Sequence, residues 1–510
     1  MTRTSLCRGR GYLDRHMGAG REVPNGHNTL EIADVRVAGT TATTADLQWR
    51  TTGSPATMIV AWGTDPANLD NLLVRDTGHY YRTEHLATLT ELQPATTYHF
   101  RVGYRRMLEG PSPYHDFRYA WPERGPQGEA EYYDSVPKQD TWEDETHSFT
   151  TGQAGELPAA REFHVSGTGD DAAEGSPEAP LATITRACEL AGPGDRVIIH
   201  EGSWHETIRP LRSGLPEAPI AFEAAPGEHV VIDGRRELIP HGADLRERKH
   251  ITLRGLFFFG QSEYAPDNGS GGQVYLVHSE GITMERCVFD GRMNYVAAIL
   301  SAWSKDITVH NNIFVNHHGS IVSHDSLGTL TITRNTFLGP TIYKLYAPRS
   351  RDIVCRGNLL AENLFPKKKE QYKLKLTSYG EFDEDYNCYV FDPANDIRAA
   401  IDWTPPGADL TRITALPEQQ VDGVVTRYGV RGDLALWHKL GRGLNSFIVE
   451  GDPGWANPEL IERLRGRTRG WPNRFFDYPQ FSREDLRLLP DSPCLGAGEG
   501  GSDIGADYAW

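Results

Sequence analysis

A repeat in the second half of the chain limits its fold more than any other feature. Six segments align: ITLRGLFF from Ile251, ITMERCVF from Ile282, ITVHNNIF from Ile307, LTITRNTF from Leu330, IVCRGNLL from Ile353 and FDEDYNCY from Phe382. Their starts lie 31, 25, 23, 23 and 29 residues apart. First and third positions are mostly apolar, as in a strand with one buried face, and Glu384 departs from that pattern in the last unit. The eighth position runs Phe258, Phe289, Phe314, Phe337, Leu360, Tyr389, and the sixth reads Asn312, Asn335, Asn358, Asn387 in the later units. Such columns form only if successive units stack in register, about 4.8 Å apart. Leucine-rich repeats have a similar period, but their LxxLxLxxN pattern is absent and no helix fits between the strands. The solution that remains is a parallel β-helix with an aromatic ladder and a hydrogen-bonded asparagine ladder.

Upstream, REFHVSGTGDD and its continuation read as a strand, a Gly-rich turn, an amphipathic helix near 180–191 and another strand. Leu181, Ile184, Ala187, Cys188 and Ala191 share one helical face, and a solenoid needs its open end capped. From His164 to Ile208 the chain resembles the first coil of right-handed parallel β-helix proteins related to pectate lyases. APIAFEAAPGEHVVIDG, Leu436-Trp437, Asp452-Pro453 and the stretch from Leu488 to Asp507 continue the resemblance. It implies a carbohydrate-active protein, although lyases, hydrolases, epimerases and non-catalytic fibres share that solenoid.

Residues 28–152 read as short alternating strands between turns, the signature of an antiparallel sandwich. The run Leu92-Gln-Pro94-Ala-Thr-Thr-Tyr98-His-Phe100-Arg-Val102 resembles the tyrosine corner of a fibronectin type III domain, and Trp49 fits its core tryptophan. That resemblance implies a spacer or docking unit, not catalysis. An insert at 106–146 carries Tyr114, His115, Phe117, Tyr119, Trp121, Tyr132, Tyr133 and Trp142, which either pack against a neighbour or stack on sugar rings. The expected organisation is all-β: a disordered extension at 1–27, the sandwich at 28–152, the right-handed β-helix with its capping helix at 160–400, and a C-terminal segment at 401–510 wrapping the helix.

A net charge of −17 argues against a general nucleic-acid binder, and no run of 18 apolar residues is present to cross a membrane as a helix. The N-terminal residues lack the apolar core of a secretory signal. Cys7, Cys188, Cys287, Cys355, Cys388 and Cys494 form no CxxC pair, so they read as small buried hydrophobes, not as a zinc ribbon or disulfide framework. No P-loop, dinucleotide fingerprint, HExxH or nucleophile elbow occurs. Charge is nonetheless uneven. Residues 341–375 hold nine Lys and Arg against Asp352, Glu362 and Glu370, which makes that segment +6 and the rest −23.

The strands preceding each repeat are QVYLVHS (273–279), AAILSAWS (297–304), SIVSHDS (320–326), TIYKLYAPR (341–349) and QYKLKLTS (371–378). If Leu374, Leu376 and Leu345 point inward, then Lys373, Lys375 and Lys344 point outward. With His324 and Trp303 on neighbouring coils, this face reads as a basic, aromatic groove for an anionic polysaccharide. Cutting a uronate polymer by β-elimination requires a base and neutralisation of the sugar carboxylate. Lys375 or Lys344 is the candidate base, Arg349 the carboxylate partner, and His324 or Tyr346 the donor to the leaving oxygen. Lys373, Tyr346, Trp303 and Arg351 are candidate substrate contacts.

The related lyases use Lys or Arg as base and often Ca²⁺. Their Asp-rich calcium cluster and Asn-Gly-x-Glu element are absent here, so no cofactor is assigned and Ca²⁺ stays open. A glycoside hydrolase using carboxyls among Asp325, Glu381, Asp383, Glu384 and Asp385 is an alternative, as is a non-catalytic, sugar-binding adhesin. Residues Glu381–Asp385 otherwise read as a turn and solvated strand edge, and His317-His318 as surface. The expected partner is a polysaccharide, with no nucleic acid or membrane and a monomeric state. The substrate points to a location outside the cytoplasm.

Overall fold

The computed structural model describes residues 30–52, 56–75, 80, 82–107, 138–235, 241–261, 272–291, 297–317, 319–339, 343–361, 374–378, 380–391, 401–404, 423–426, 429–432, 434–439, 441–465 and 481–507. Most of the insert aromatics, the run Lys367–Lys369 and the N-terminal extension lie outside them. The protein is an N-terminal β-sandwich followed by a parallel β-helix. Three nine-stranded sheets form the walls of the helix. Face A runs from Glu162–Val165 to Phe382–Asp385 and contains the start of every repeat. Face B runs from Gly202–Trp204 to Phe447–Glu450, and face C from Ala243–Asp244 through Ile401–Thr404, ending in two antiparallel strands.

The repeat dictates the corner between faces A and B. Its fifth position reads Gly255, Arg286, Asn311, Arg334, Gly357 and Tyr386, and every one has a positive φ, between 53° and 70°. One left-handed residue redirects the strand, and glycine takes that conformation without a Cβ clash. The turn removes backbone groups from the sheet ladders, and the asparagines at the sixth position satisfy them. Asn335 Oδ1 accepts from Asn312 N and Nδ2 at 2.8 and 3.1 Å, while Asn335 Nδ2 donates to Asn358 Oδ1 and Val309 O at 3.0 and 2.9 Å. Asn358 repeats the pattern toward Asn387. The aromatic column is equally regular. Phe258, Phe289, Phe314 and Phe337 stack with centroids 5.0, 5.0 and 4.7 Å apart and within 9° of parallel.

Glu384 ends both columns. It is buried, not part of a solvated edge, because the inward third position of the last coil has no further coil beneath it. Its carboxylate accepts from Asn387 Nδ2, Tyr389 OH, Ser446 Oγ and Trp437 Nε1 at 2.7 to 2.9 Å. Burial raises its pKa above the ordinary 4.5, against the pull of those donors. At the opposite end the helix Ile184–Leu190 buries Ile184, Ala187 and Cys188 on the first coil, its N-terminus capped by Thr183 accepting from Arg186 N. The five described cysteines are buried.

In the sandwich, Glu31–Thr40, Ala45–Thr52 and Glu84–Leu89 form one antiparallel sheet, facing a second built on Met58–Gly63 and Thr97–Met107. Trp49, Val60, Phe100 and Val102 fill the space between them. Tyr98 closes its corner as expected, the hydroxyl accepting from Gln93 N at 3.0 Å.

Two outcomes test this account. Asn335→Ala strands buried donors and acceptors on two coils and should lower the unfolding free energy by about 3 kcal/mol in a denaturant titration. Because the folded pKa of Glu384 is raised, its contribution to stability is complete below the ordinary value of 4.5 and is lost as pH rises through the folded value. Unfolding midpoints of Glu384→Gln should therefore fall less steeply with rising pH than those of the parent chain.

Candidate functional site

The three faces differ in what covers them. On face A, outward Arg196 and Arg254 bridge Glu162, Glu223 and Glu285, so its charge is internally paired. The outward apolar residues of face B, including Phe257, Val288, Ile313, Val315 and Leu338, lie under Trp455, Leu460, Leu464, Leu486 and Ile504 of the C-terminal segment. Among the described residues, the sandwich covers the first coils of face C. Outward Tyr275, Val277 and Ala302 belong to the same apolar cluster as Trp49, Val60 and Phe100 of the sandwich. Beyond them Val322, His324, Tyr343 and Tyr346 are half-buried, and this stretch is the candidate site.

Parallel register builds the stretch. Val322 lies opposite Tyr346, and Tyr346 opposite Lys375 on the strand Leu374–Ser378. The rings of Tyr343 and Tyr346 stack at 5.2 Å, and His324 meets Tyr346 edge-on at 5.6 Å. At the edge toward face A, His278, Trp303, Asp325 and Arg349 occupy equivalent corners, all with φ near 50°. Trp303 stacks on His278 at 5.4 Å. Arg349 grips Asp325 with two bonds of 2.5 and 2.7 Å. Burial, with the Arg349 charge adding to it and Asp325 opposing, pushes the His324 pKa down to about 4. Its imidazole is therefore neutral near pH 7, where it can accept a hydrogen bond but carries no extra proton to give.

Several expectations need correction. Lys344 does not face a groove: it is fully buried, and its Nζ donates to Gly339 O at 2.7 Å. Alternation put it on the correct side of the strand, but it sits at the start of that strand, beside the corner with face B, and folds back against the chain leading in. His317 is likewise fully buried, not surface, and bonds Gln273 Oε1 at 2.7 Å. Burial, together with the nearby Lys344 charge, pushes its pKa down to about 3. Lys373 lies outside the described residues, and Lys375 is described by its strand position alone. Arg351 is exposed on the corner beyond Ser350. The basic segment is partly neutralised within the protein, since Arg349 pairs with Asp325 and Arg356 with Asp383 and Glu499.

The sandwich contact is a network of buried polar pairs that sequence reasoning missed. Glu247 accepts from Tyr80 OH and Arg75 Nε at 2.5 Å each, and Tyr80 OH also meets His278 Nδ1 at 2.7 Å. Arg82 and Arg246 both hold Asp244, at 2.9 and 2.7 Å. Asp46 takes Ser213 N at 3.0 Å, Thr88 Oγ1 at 2.6 Å and Arg248 Nη1 at 3.3 Å. The run Asp244-Leu-Arg-Glu-Arg-Lys-His250 would ordinarily lie in water; Asp244, Glu247 and Arg248 are buried here with partners that the sandwich supplies.

Ca²⁺ takes six to eight oxygen ligands. Among the described side chains of the open stretch, the carboxylate at hand is Asp325, already held by Arg349. These residues do not fit a calcium site. The described Glu143, Glu145 and His147 come together on the sandwich, within 4.8 Å, away from this face.

Comparison with known proteins agrees with the two-part architecture. Residues 32–119 match the family described as purple acid phosphatase, N-terminal domain. The fibronectin type III resemblance holds at the level of the sandwich and its corner. Over 72 residues the chain is 42% identical to the uncharacterized protein YwoF of Bacillus subtilis, covering 14% of this chain and 15% of that protein. Over 107 residues it is 35% identical to pectate lyase PEL9 of Emericella nidulans, covering 21% of this chain and 26% of that protein. The chain thus spans about a quarter or less of the length of these curated relatives. Among solved structures it is similar to the crystal structure of pectate lyase Pel9A, with a TM-score of 0.36 and 13% identity over 68% of this chain and 96% of that one.

Proposed function

We propose that the protein is a polysaccharide lyase that cleaves a uronate-containing polymer by β-elimination on the open stretch of face C. The observation that carries this reading is the meeting of the Tyr343–Tyr346 stack, neutral His324 and the Arg349–Asp325 pair, in register with Lys375. The stacked tyrosines offer an apolar platform for a sugar face. Arg349 is suited to a planar carboxylate, because it already binds one bidentately and a sugar carboxylate can compete for that fork. Lys375 takes the proton beside the sugar carboxylate. The electron pair forms the ring double bond as the glycosidic C–O bond breaks, and the Tyr346 hydroxyl gives its proton to the leaving oxygen. His324, neutral and beside Tyr346, accepts a hydrogen bond from a sugar hydroxyl instead of acting as the acid first considered for it.

The hydrolase alternative has less support. Glu384 is enclosed in the core, Asp325 has no second carboxyl beside it among the described side chains of the open stretch, and Asp383 and Asp385 lie on face A with Arg356 and Asn445 as partners.

Ultraviolet absorbance during incubation with a panel of uronate polysaccharides reads the conjugated double bond directly. Lys375→Ala should remove at least about 10²-fold of the rate, the scale of a lost general base, with an unchanged unfolding curve. New reducing ends without absorbance would move the reading to hydrolysis. His324→Ala should raise KM more than it lowers kcat, and an equal loss in kcat and kcat/KM would instead give the imidazole a role in the transition state alone.

A further inference from the structure

We infer that the sandwich is the end wall of the groove on face C, and that the site therefore takes polysaccharide chain ends and releases short fragments from them. This deepens the lyase reading and rests on it. The groove has a direction, because its outward residues line up in columns along the solenoid axis, one per coil, about 4.8 Å apart. A polymer lying along a column meets the sandwich at one end. There Tyr275 and Val277 are 0% exposed and Ala302 is 2% exposed, all within the sandwich's own apolar cluster. Ala302 is paired in register with His324, one coil away, and His324 is half-buried. Among the described residues, full burial thus gives way to half-burial within a single strand spacing. Tyr346 is one coil further on, so roughly 10 Å separates it from the last covered coil. That distance admits a short oligosaccharide end but not a continuing chain.

The wall is fixed. Asp46–Arg248, Arg82–Asp244 and Arg75–Glu247 cross the contact with at least one member of each pair buried, and Tyr80 bonds both Glu247 and His278. Separating the two parts would leave buried charges unpaired, which is strongly unfavourable. Trp303 stands at the foot of the wall, half-buried, with its ring stacked on His278. It is placed to meet the terminal sugar as a flat apolar surface.

The test follows ultraviolet absorbance, viscosity and product length together, using the full chain and polygalacturonate. The expected result is absorbance that rises while viscosity stays nearly constant at low conversion, with short products of narrow length range from the first turnovers. Trp303→Ala should broaden that range and raise KM for short oligosaccharides several-fold, and circular dichroism shows whether the variant is folded. A steep fall in viscosity at low conversion, with long products appearing first, would overturn the end-wall inference and leave the lyase reading standing. Absence of new absorbance with every uronate polymer tested would overturn both.

Discussion

Parallel stacking at a single strand spacing is the constraint on which everything else in this molecule depends. Each residue of a coil lies directly over its counterpart in the next, so a column is stable only if neighbouring side chains tolerate one another. Phenylalanines do so by face-to-face overlap, and asparagines because an amide is donor and acceptor at once. Like charges do not, and the outward column of face A accordingly alternates Glu223, Arg254 and Glu285. The asparagine ladder has the further task of satisfying backbone groups that the left-handed corner removes from the sheets. A chain of amides needs a terminator at each end. Cys287 N, donating at 2.8 Å to Asn312, serves at one end and Glu384 at the other. A buried carboxylate is costly in general, and here four donors from two parts of the chain offset that cost.

The same stacking makes long flat faces, and what lies over each face decides its use. Face B disappears beneath the C-terminal segment and the charges of face A pair with each other. Among the described residues, face C brings half-buried tyrosines, an imidazole and a guanidinium together beyond the coils that the sandwich covers. Among the described residues of 341–375, part of the positive charge is already engaged within the protein. Lys344 turns into the body of the protein, and Arg349 and Arg356 already hold carboxylates. Among the described basic side chains of this segment, the one that lies beside the tyrosine stack is Arg349, held by Asp325.

The solenoid, its two ladders, the capping helix and the tyrosine corner were legible because each is a local or periodic pattern: Asn312 to Asn387 is a repeat, and Tyr98 a short motif. Lys344, His317 and Glu384 were misjudged for one shared reason. Period-two alternation tells which side of a strand a residue occupies, but not what later packs there. Lys344 and His317 stand at a corner where side chains of neighbouring coils close over one another, and Glu384 is sealed by Trp437 and Ser446 from far along the chain. The docking of the sandwich was illegible on the same grounds. Asp46 and Arg248 are 202 residues apart in sequence, and neither carries a motif.

A solenoid by itself is open at both ends of every face, so it offers no way to distinguish the end of a polymer from its middle. Selectivity of that kind has to come from a second body that cannot move aside. Apolar contact alone would permit sliding, because it is not directional. The pairs from Asp46, Arg82 and Arg75 are directional, and Tyr80 joins Glu247 and His278 through one hydroxyl, so the contact has one register. His278 is also the ring on which Trp303 rests, which links the position of the sandwich to the aromatic surface at the edge of the open groove. Domain contact and candidate site are thus parts of one structure, and under the reading proposed above a domain that resembles a spacer bounds the length of polymer the face holds.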